Sequence, residues 1–226
     1  MRITRKTELP NLAVLAGMFL AAAVLWPSSP DRFPVHWNFQ GQIDRYGGKT
    51  EGLLIFPVMT LGIYLLLVFL PRLDPARANY ARFSGAYAAI RIVFTVSMAL
   101  MYAVTLLSGN GYPIDVGLAI PLIVGGLFIV IGNFMGKIRP NWFVGIRTPW
   151  TLTSRKSWVK THRLGGWMFI ASGVVLILAS LARTPWALML MGAWFAVFVV
   201  WMFAYSYLIW RSDPERRSLW TNNGEQ

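Results

Sequence analysis

The sequence predicts an all-α, polytopic bundle of six transmembrane helices. Three observations point that way. Of the 226 residues, 56% are hydrophobic and only 13% are charged, about half the charged share of a soluble domain. There are 11 tryptophans, a residue concentrated where protein crosses a membrane–water interface. Six stretches also approach the roughly 20 apolar residues needed to cross about 30 Å of hydrocarbon. A soluble chain of this length could not hide that much apolar surface.

The spans run in order. Leu9–Trp26, Leu53–Leu70 and Val116–Met135 carry no charge, and neither do Leu164–Ala182 and Pro185–Trp210. Phe83–Leu107 contains Arg91. Internal prolines and glycines such as Pro57, Pro121, Gly125 and Gly126 are tolerated in lipid-embedded helices. "SGNGYPID" (Ser108–Asp115) and Arg183–Thr184 are short turns between antiparallel neighbours. The start has the three parts of a signal peptide: basic Arg2–Lys6, apolar Leu12–Leu25 and small Ala21–Ala23. A retained first helix is the expectation.

Charge orients the spans. The N-terminal tail, the second linker with Arg91, the fourth linker and the C-terminal tail hold 17 of the 21 Lys and Arg residues. Arg32, Arg45, Lys49 and Arg183 are the 4 on the other side. The positive-inside bias then puts both termini and the fourth linker in the cytoplasm. With a net charge of +12, the bilayer and its anionic lipids are the first partners implied, with no direct nucleic-acid contact. The chain has no cysteine, so disulfides and thiolate metal sites are excluded.

Two segments carry more than membrane chemistry. The first outer loop, "SSPDRFPVHWNFQGQIDRYGGKTEG", mixes turn formers with Phe33, Trp37, Phe39 and Tyr46. It reads as an interfacial lid or an outward binding surface built on His36, Trp37, Asn38, Asp44, Tyr46 and Lys49. One histidine with carboxylates eight or more residues away is no metal signature, and His162 falls on the opposite face. "GGKT" (Gly47–Thr50) looks like the end of a phosphate-binding loop. Ile43 stands where its first glycine belongs, however, and no strand is expected before it.

The fourth linker, "RPNWFVGIRTPWTLTSRKSWVKTHRLGG", has seven cations between Lys137 and Arg163 and no carboxylate. Pro140 and Pro149 interrupt helix, Asn141 bonds its own backbone, and Gly145 acts as a hinge. Thr153 or Ser154 caps a new helix that carries Trp158, His162 and Gly165–Gly166 on related turns into span five. Gly132 and Gly136 form a G-x-x-x-G packing face, within which Asn133 is expected to hydrogen-bond to the linker or a neighbouring helix. Arg91 is expected to snorkel to the inner interface or to pair with a linker carbonyl.

These residues resemble a known family. "GNFMGKIRPNWFVGIRTPWTLTSRKSWVKTHRLGG" (Gly132–Gly166) resembles the signature of the SdpI family of bacterial membrane proteins. "FPVHWNFQGQIDRYGGK" (Phe33–Lys49) resembles a module that often precedes it, and "LDPARANYARFSGAYAAI" (Leu73–Ile90) is similar to the family's second linker. The resemblance implies a bacterial cytoplasmic-membrane protein that gives immunity to a secreted, membrane-active toxin peptide met on the outer face. It also implies a receptor that holds a cytosolic repressor at the inner face.

The inner binding residues are then Asn133, Arg139, Asn141, Arg147, Thr148, Trp150, Trp158, His162 and Arg163. No catalytic residue, cofactor or metal is implied. Two other classes compete. One is a membrane-embedded enzyme with a polar site made by His162, Asn133, Asn141 and Arg147, although no nucleophile–base spacing is present. The other is a small-solute transporter, although no inverted repeat is evident. The expected organisation is a half of residues 1–107 (spans one to three, outer loop 27–52) and a half of residues 108–226 (spans four to six, inner linker 136–163).

Overall fold

The computed structural model describes residues 5–38, 40–183 and 186–216. Expectations that fall on Arg2, Phe39, Thr184, Pro185 and Arg217 lie outside the described residues. Six helices are long and apolar enough to cross a membrane. They are α1 (Arg5–Leu25), α2 (Lys49–Leu73), α3 (Ser84–Gly109), α4 (Val116–Met135), α6 (Arg155–Ala182) and α7 (Trp186–Arg211). A short α5 (Pro149–Thr153) lies in the fourth linker, and a 3-10 segment (Arg77–Phe83) leads into α3.

The outer loop, expected to be ordered, takes a form the sequence reading did not specify. It folds into an antiparallel hairpin of β1 (Arg32–Trp37) and β2 (Ile43–Gly48). Asn38 builds its turn: the side-chain oxygen accepts from the N–H groups of Gln40 and Gln42 at 3.0 and 2.9 Å. Gly41, at φ 76°, completes the reversal. A strand therefore does lead into GGKT, contrary to the sequence expectation. Ile43 still occupies the glycine position of a phosphate loop, so that motif stays excluded.

Helices α1, α2 and α3 pack on one another, α3 touches α4, and α6 packs on both α4 and α7. The α4–α6 contact is the closest. Gly132 faces Gly166 and Gly125 faces Gly173, so two pairs seven residues apart meet along antiparallel helices. A Cβ on Gly132 would lie 2.6 Å from the Gly166 carbonyl oxygen, and one on Gly125 would lie 2.8 Å from that of Gly173. Without side chains the backbones close in, which is how helices gain contact where lipid supplies no hydrophobic drive. The expected G-x-x-x-G face is thus only half used, since Gly136 sits at the edge, nearest the Arg163 Cα.

Two buried clusters mark the two ends of the bundle. At the hairpin end, Phe33 is fully buried with Met18, Ala22, Leu53, Tyr102 and Leu106. Its ring fills the space beside Gly52 and Gly109, where neither position could carry a Cβ. At the linker end, Tyr80, Phe83, Tyr87, Met135, Ile138 and Trp158 pack together. Both α1 and α3 begin at the linker end, and α7 finishes there beside Ser154.

Candidate functional site

At the linker end, the segment from Gly136 to Ser154 has little helix and no strand, so side chains take over its backbone hydrogen bonding. Asn141 is completely buried. Its Oδ1 accepts from the N–H groups of Phe143 (3.0 Å) and Val144 (2.6 Å), and its Nδ2 donates to the carbonyls of Arg139 and Val144, both at 2.9 Å.

Asp74, at the end of α2, fastens this loop to the second linker. Its Oδ2 accepts from the Trp142 N–H at 3.0 Å and the Tyr80 hydroxyl at 2.9 Å, and its Oδ1 accepts from the Ala76 N–H at 2.7 Å. Asn79 adds a bond from Nδ2 to the Pro140 carbonyl at 2.8 Å. Two linkers far apart in sequence are thereby one folded unit.

His162 holds the other side of the loop. The Ile146 N–H donates to Nε2 at 3.0 Å, so Nδ1 carries the proton and donates to the Trp158 carbonyl at 2.9 Å. Both ring nitrogens are used, and the neutral tautomer is fixed. The imidazole stacks on Trp158 with centroids 4.0 Å apart. The Trp158 indole N–H reaches back to the Ile138 carbonyl at 2.9 Å. Gly145, at φ 106°, lies so close to His162 Nε2 that no side chain fits. It is a close-approach point and not the expected hinge.

Hydroxyls join this unit to α7. Thr148 caps α5 in a reciprocal capping box with Thr151 and donates to Ser206 Oγ at 3.0 Å. Ser154 caps α6, as expected, and its hydroxyl donates to Asp213 at 2.5 Å. Ser157 donates to the Ser206 carbonyl at 2.8 Å. Trp150 packs edge-on against Phe203 and Tyr207.

The nine inner candidates therefore divide. Asn141, Thr148, Trp158 and His162 are buried and Trp150 is half-buried, so these five build the loop. Arg139, Arg147 and Arg163 are exposed and present charge. Arg147 donates to the Trp142 carbonyl at 2.9 Å. Asn133 departs from expectation. The helical turn that aims Gly132 at α6 leaves Asn133 exposed, and it bonds no described residue. It forms no hydrogen bond with His162, whose two ring nitrogens are both engaged, so the expected grouping of these two side chains is not formed.

The outer candidates meet in the hairpin. His36 Nδ1 lies 2.6 Å from Asp44 Oδ1 on an exposed face. Asn38 forms the turn, Trp37 faces Ile43, and Arg32 covers the Tyr46 ring at 4.3 Å. Lys49 reaches Asp31 at 3.7 Å. Among the described residues, no three His, Asp or Glu side chains gather to hold a metal ion.

One site escaped the sequence reading. Arg91 does not snorkel. It is fully buried and donates to both oxygens of Glu8, at 2.7 and 3.1 Å. The Tyr64 hydroxyl donates to Glu8 at 2.9 Å. The first helix starts at Arg5, four residues before the expected span, so it carries an acid into the bundle. The nearby carboxylate offsets a cost that snorkelling would otherwise have to relieve. Asp74, Tyr80 and Ser206 were also missed, although Asp74 and Tyr80 lie within the second-linker stretch that resembles the family.

The six spanning helices define a multi-pass integral membrane protein with a folded extramembrane element at each end. The comparisons with known proteins make the class particular. Residues 137–209 match the SdpI/YfhL protein family, and residues 13–61 match a domain of unknown function, DUF1648. The chain is 25% identical over 187 residues to the Immunity protein SdpI of Bacillus subtilis (strain 168), covering 82% of this chain and 87% of that relative. No solved structure matches. The chain thus carries an SdpI/YfhL-like segment over its fourth linker and last two spans, and is similar to an SdpI protein over most of its length.

Proposed function

We propose that this chain is an immunity protein of the bacterial cytoplasmic membrane, with both termini and the basic linker in the cytoplasm. It protects its cell from a secreted, membrane-active toxin peptide that meets the hairpin end. In the same reading, toxin engagement lets the linker end hold a cytosolic repressor. The observation that carries this is the similarity to an immunity protein along 82% of the chain. The positions of the cations agree with the orientation: the start of α1, the end of α7 and the cation-rich linkers share one end of the bundle.

The proposed division of labour follows the two halves, residues 1–107 and 108–226. In the first, Trp37 and Tyr46 offer rings and the His36–Asp44 pair offers polarity for a peptide to engage. In the second, Arg139 and Arg147 stand exposed on a loop pinned from beneath by Asn141 and His162, and Arg155 and Arg163 stand exposed on the adjoining start of α6. Charge held on a rigid base keeps less conformational entropy to lose on binding.

The test is expression in a bacterium sensitive to the toxin against which the Bacillus subtilis relative acts. Survival is expected to rise with this chain and to fall back in a Trp37→Ala/Tyr46→Ala variant that inserts normally. Charge reversal at Arg147 and Arg155 should release a cytosolic partner without changing insertion. Absence of protection at matched membrane levels overturns the proposal.

A further inference from the structure

The outward face of α6 changes chemistry along its length. From Trp167 through Ala171, Val174 and Leu178 to Leu181, steps of three and four residues mark one exposed apolar stripe. Trp167 is 66% and Leu178 59% exposed in the bundle, as expected of a face covered by acyl chains. Continued towards the linker by the same steps, this stripe becomes Arg163 and then Lys160, both exposed. The opposite face, with Trp158, Thr161, His162, Gly165 and Gly166, is buried in the bundle.

Helix length fixes the level of these cations. The 28 residues of α6 span about 42 Å at 1.5 Å each. The hydrocarbon is only about 30 Å thick. The charge-free part, Leu164–Ala182, is enough to cross it, so Arg163 and Lys160 stand at the headgroup phosphates with the Trp167 ring at the boundary. Neither cation has an ion pair or hydrogen bond among the described residues. No acidic side chain lies between Lys137 and Arg163.

We infer that Lys160 and Arg163 hold the phosphodiester of an anionic phospholipid, whose acyl chain lies along Trp167, Ala171, Val174 and Leu178. Residues three apart on a helix are neighbours, so one phosphate reaches both. A zwitterionic headgroup would bring its own ammonium into an uncompensated cationic patch. A headgroup with no cation meets no such repulsion, and that difference selects the lipid class. This site is independent of the immunity reading.

The test uses the full-length protein in detergent, offered equal amounts of phosphatidylglycerol and phosphatidylethanolamine in mixed micelles. Native mass spectrometry then counts the retained lipid. Phosphatidylglycerol should be retained over phosphatidylethanolamine, and a Lys160→Glu/Arg163→Glu variant should lower its retention about tenfold. An Arg77→Glu/Arg82→Glu variant, with the same change in charge at exposed positions elsewhere on the linker end, should retain it. If the reversed pair fails to fold, judged by helical circular dichroism, Lys160→Gln/Arg163→Gln replaces it, with the same expectation. Equal loss in both variants, no preference between the lipids, or displacement by inorganic phosphate alone overturns the inference. A fall in toxin protection with lipid retention unchanged also overturns it, leaving the immunity reading intact.

Discussion

Arg91 and Glu8 form a two-point ion pair between α3 and α1, with donor–acceptor distances of 2.7 and 3.1 Å. Removing one partner strands the other in a nonaqueous interior. Arg91→Ala is expected to destabilise the bundle by about 3–5 kcal/mol, whereas Glu8→Leu with Arg91→Met should be much milder. Denaturant unfolding in detergent measures both. Equal damage from the single and double variants would show that the pair is not the point of attachment.

Asp74 gathers three donors: the Ala76 N–H, the Tyr80 hydroxyl and the Trp142 N–H. Asp74→Ala leaves buried donors unmet, at about 1–3 kcal/mol each where water cannot enter. Hydrogen exchange should quicken at residues 139–148 while the spanning helices stay protected. Asn141→Ala should give the same local pattern. Protection unchanged at Trp142 in the first variant, or at Phe143 and Val144 in the second, would count against the clamp.

The α4–α6 seam predicts a contrast between neighbouring glycines. Gly166→Leu puts a side chain against the Gly132 carbonyl, while Gly126→Leu points into open space. The first should lower the midpoint of thermal unfolding, by at least the roughly 1–3 kcal/mol typical of overpacking, because backbone cannot step aside. The second should unfold close to the parent. Similar midpoints for the two would remove the seam as a determinant of stability.

At Gly145 both backbone angle and space are restrictive. Gly145→Ala is expected to displace His162, breaking the Ile146 N–H bond, without loss of insertion. Nitrogen-15 chemical shifts of the imidazole report this directly: the parent should show one protonated Nδ1 and one acceptor Nε2. Unchanged shifts in the variant would contradict the close packing.

Orientation can be read from single cysteines, since the chain has none of its own. Tyr46→Cys should react with a membrane-impermeant maleimide on intact cells, and Arg155→Cys only after lysis. The reverse pattern would invert the topology.

The spans were legible because apolar runs of hydrocarbon length have few soluble explanations. The limits of α1 were not, because a rule that starts spans after the last charge leaves out Glu8, whose partner lies 83 residues away. Distance in sequence also hid Asp74, which is 68 residues from Trp142. The hairpin escaped notice because Pro34 and Gly47–Gly48 are poor strand residues. Its shape comes from the Asn38 turn and from Phe33, which seats between helices. In the fourth linker the capping role of Ser154 and the shared face of Trp158 and His162 could be read from spacing. That Asn133 faces away could not, because it depends on which glycine meets α6.

The seat of Phe33 has a mechanical corollary. An element hinged on flexible chain could sample many poses above the bilayer, and a visitor gripping it would exert no torque below. A ring wedged between the ends of two helices makes the strand ribbon a lever with its fulcrum at the rim of the bundle. Whatever pushes on that ribbon pushes on α2 and α3, and α2 ends at the aspartate that holds the opposite pole of the molecule.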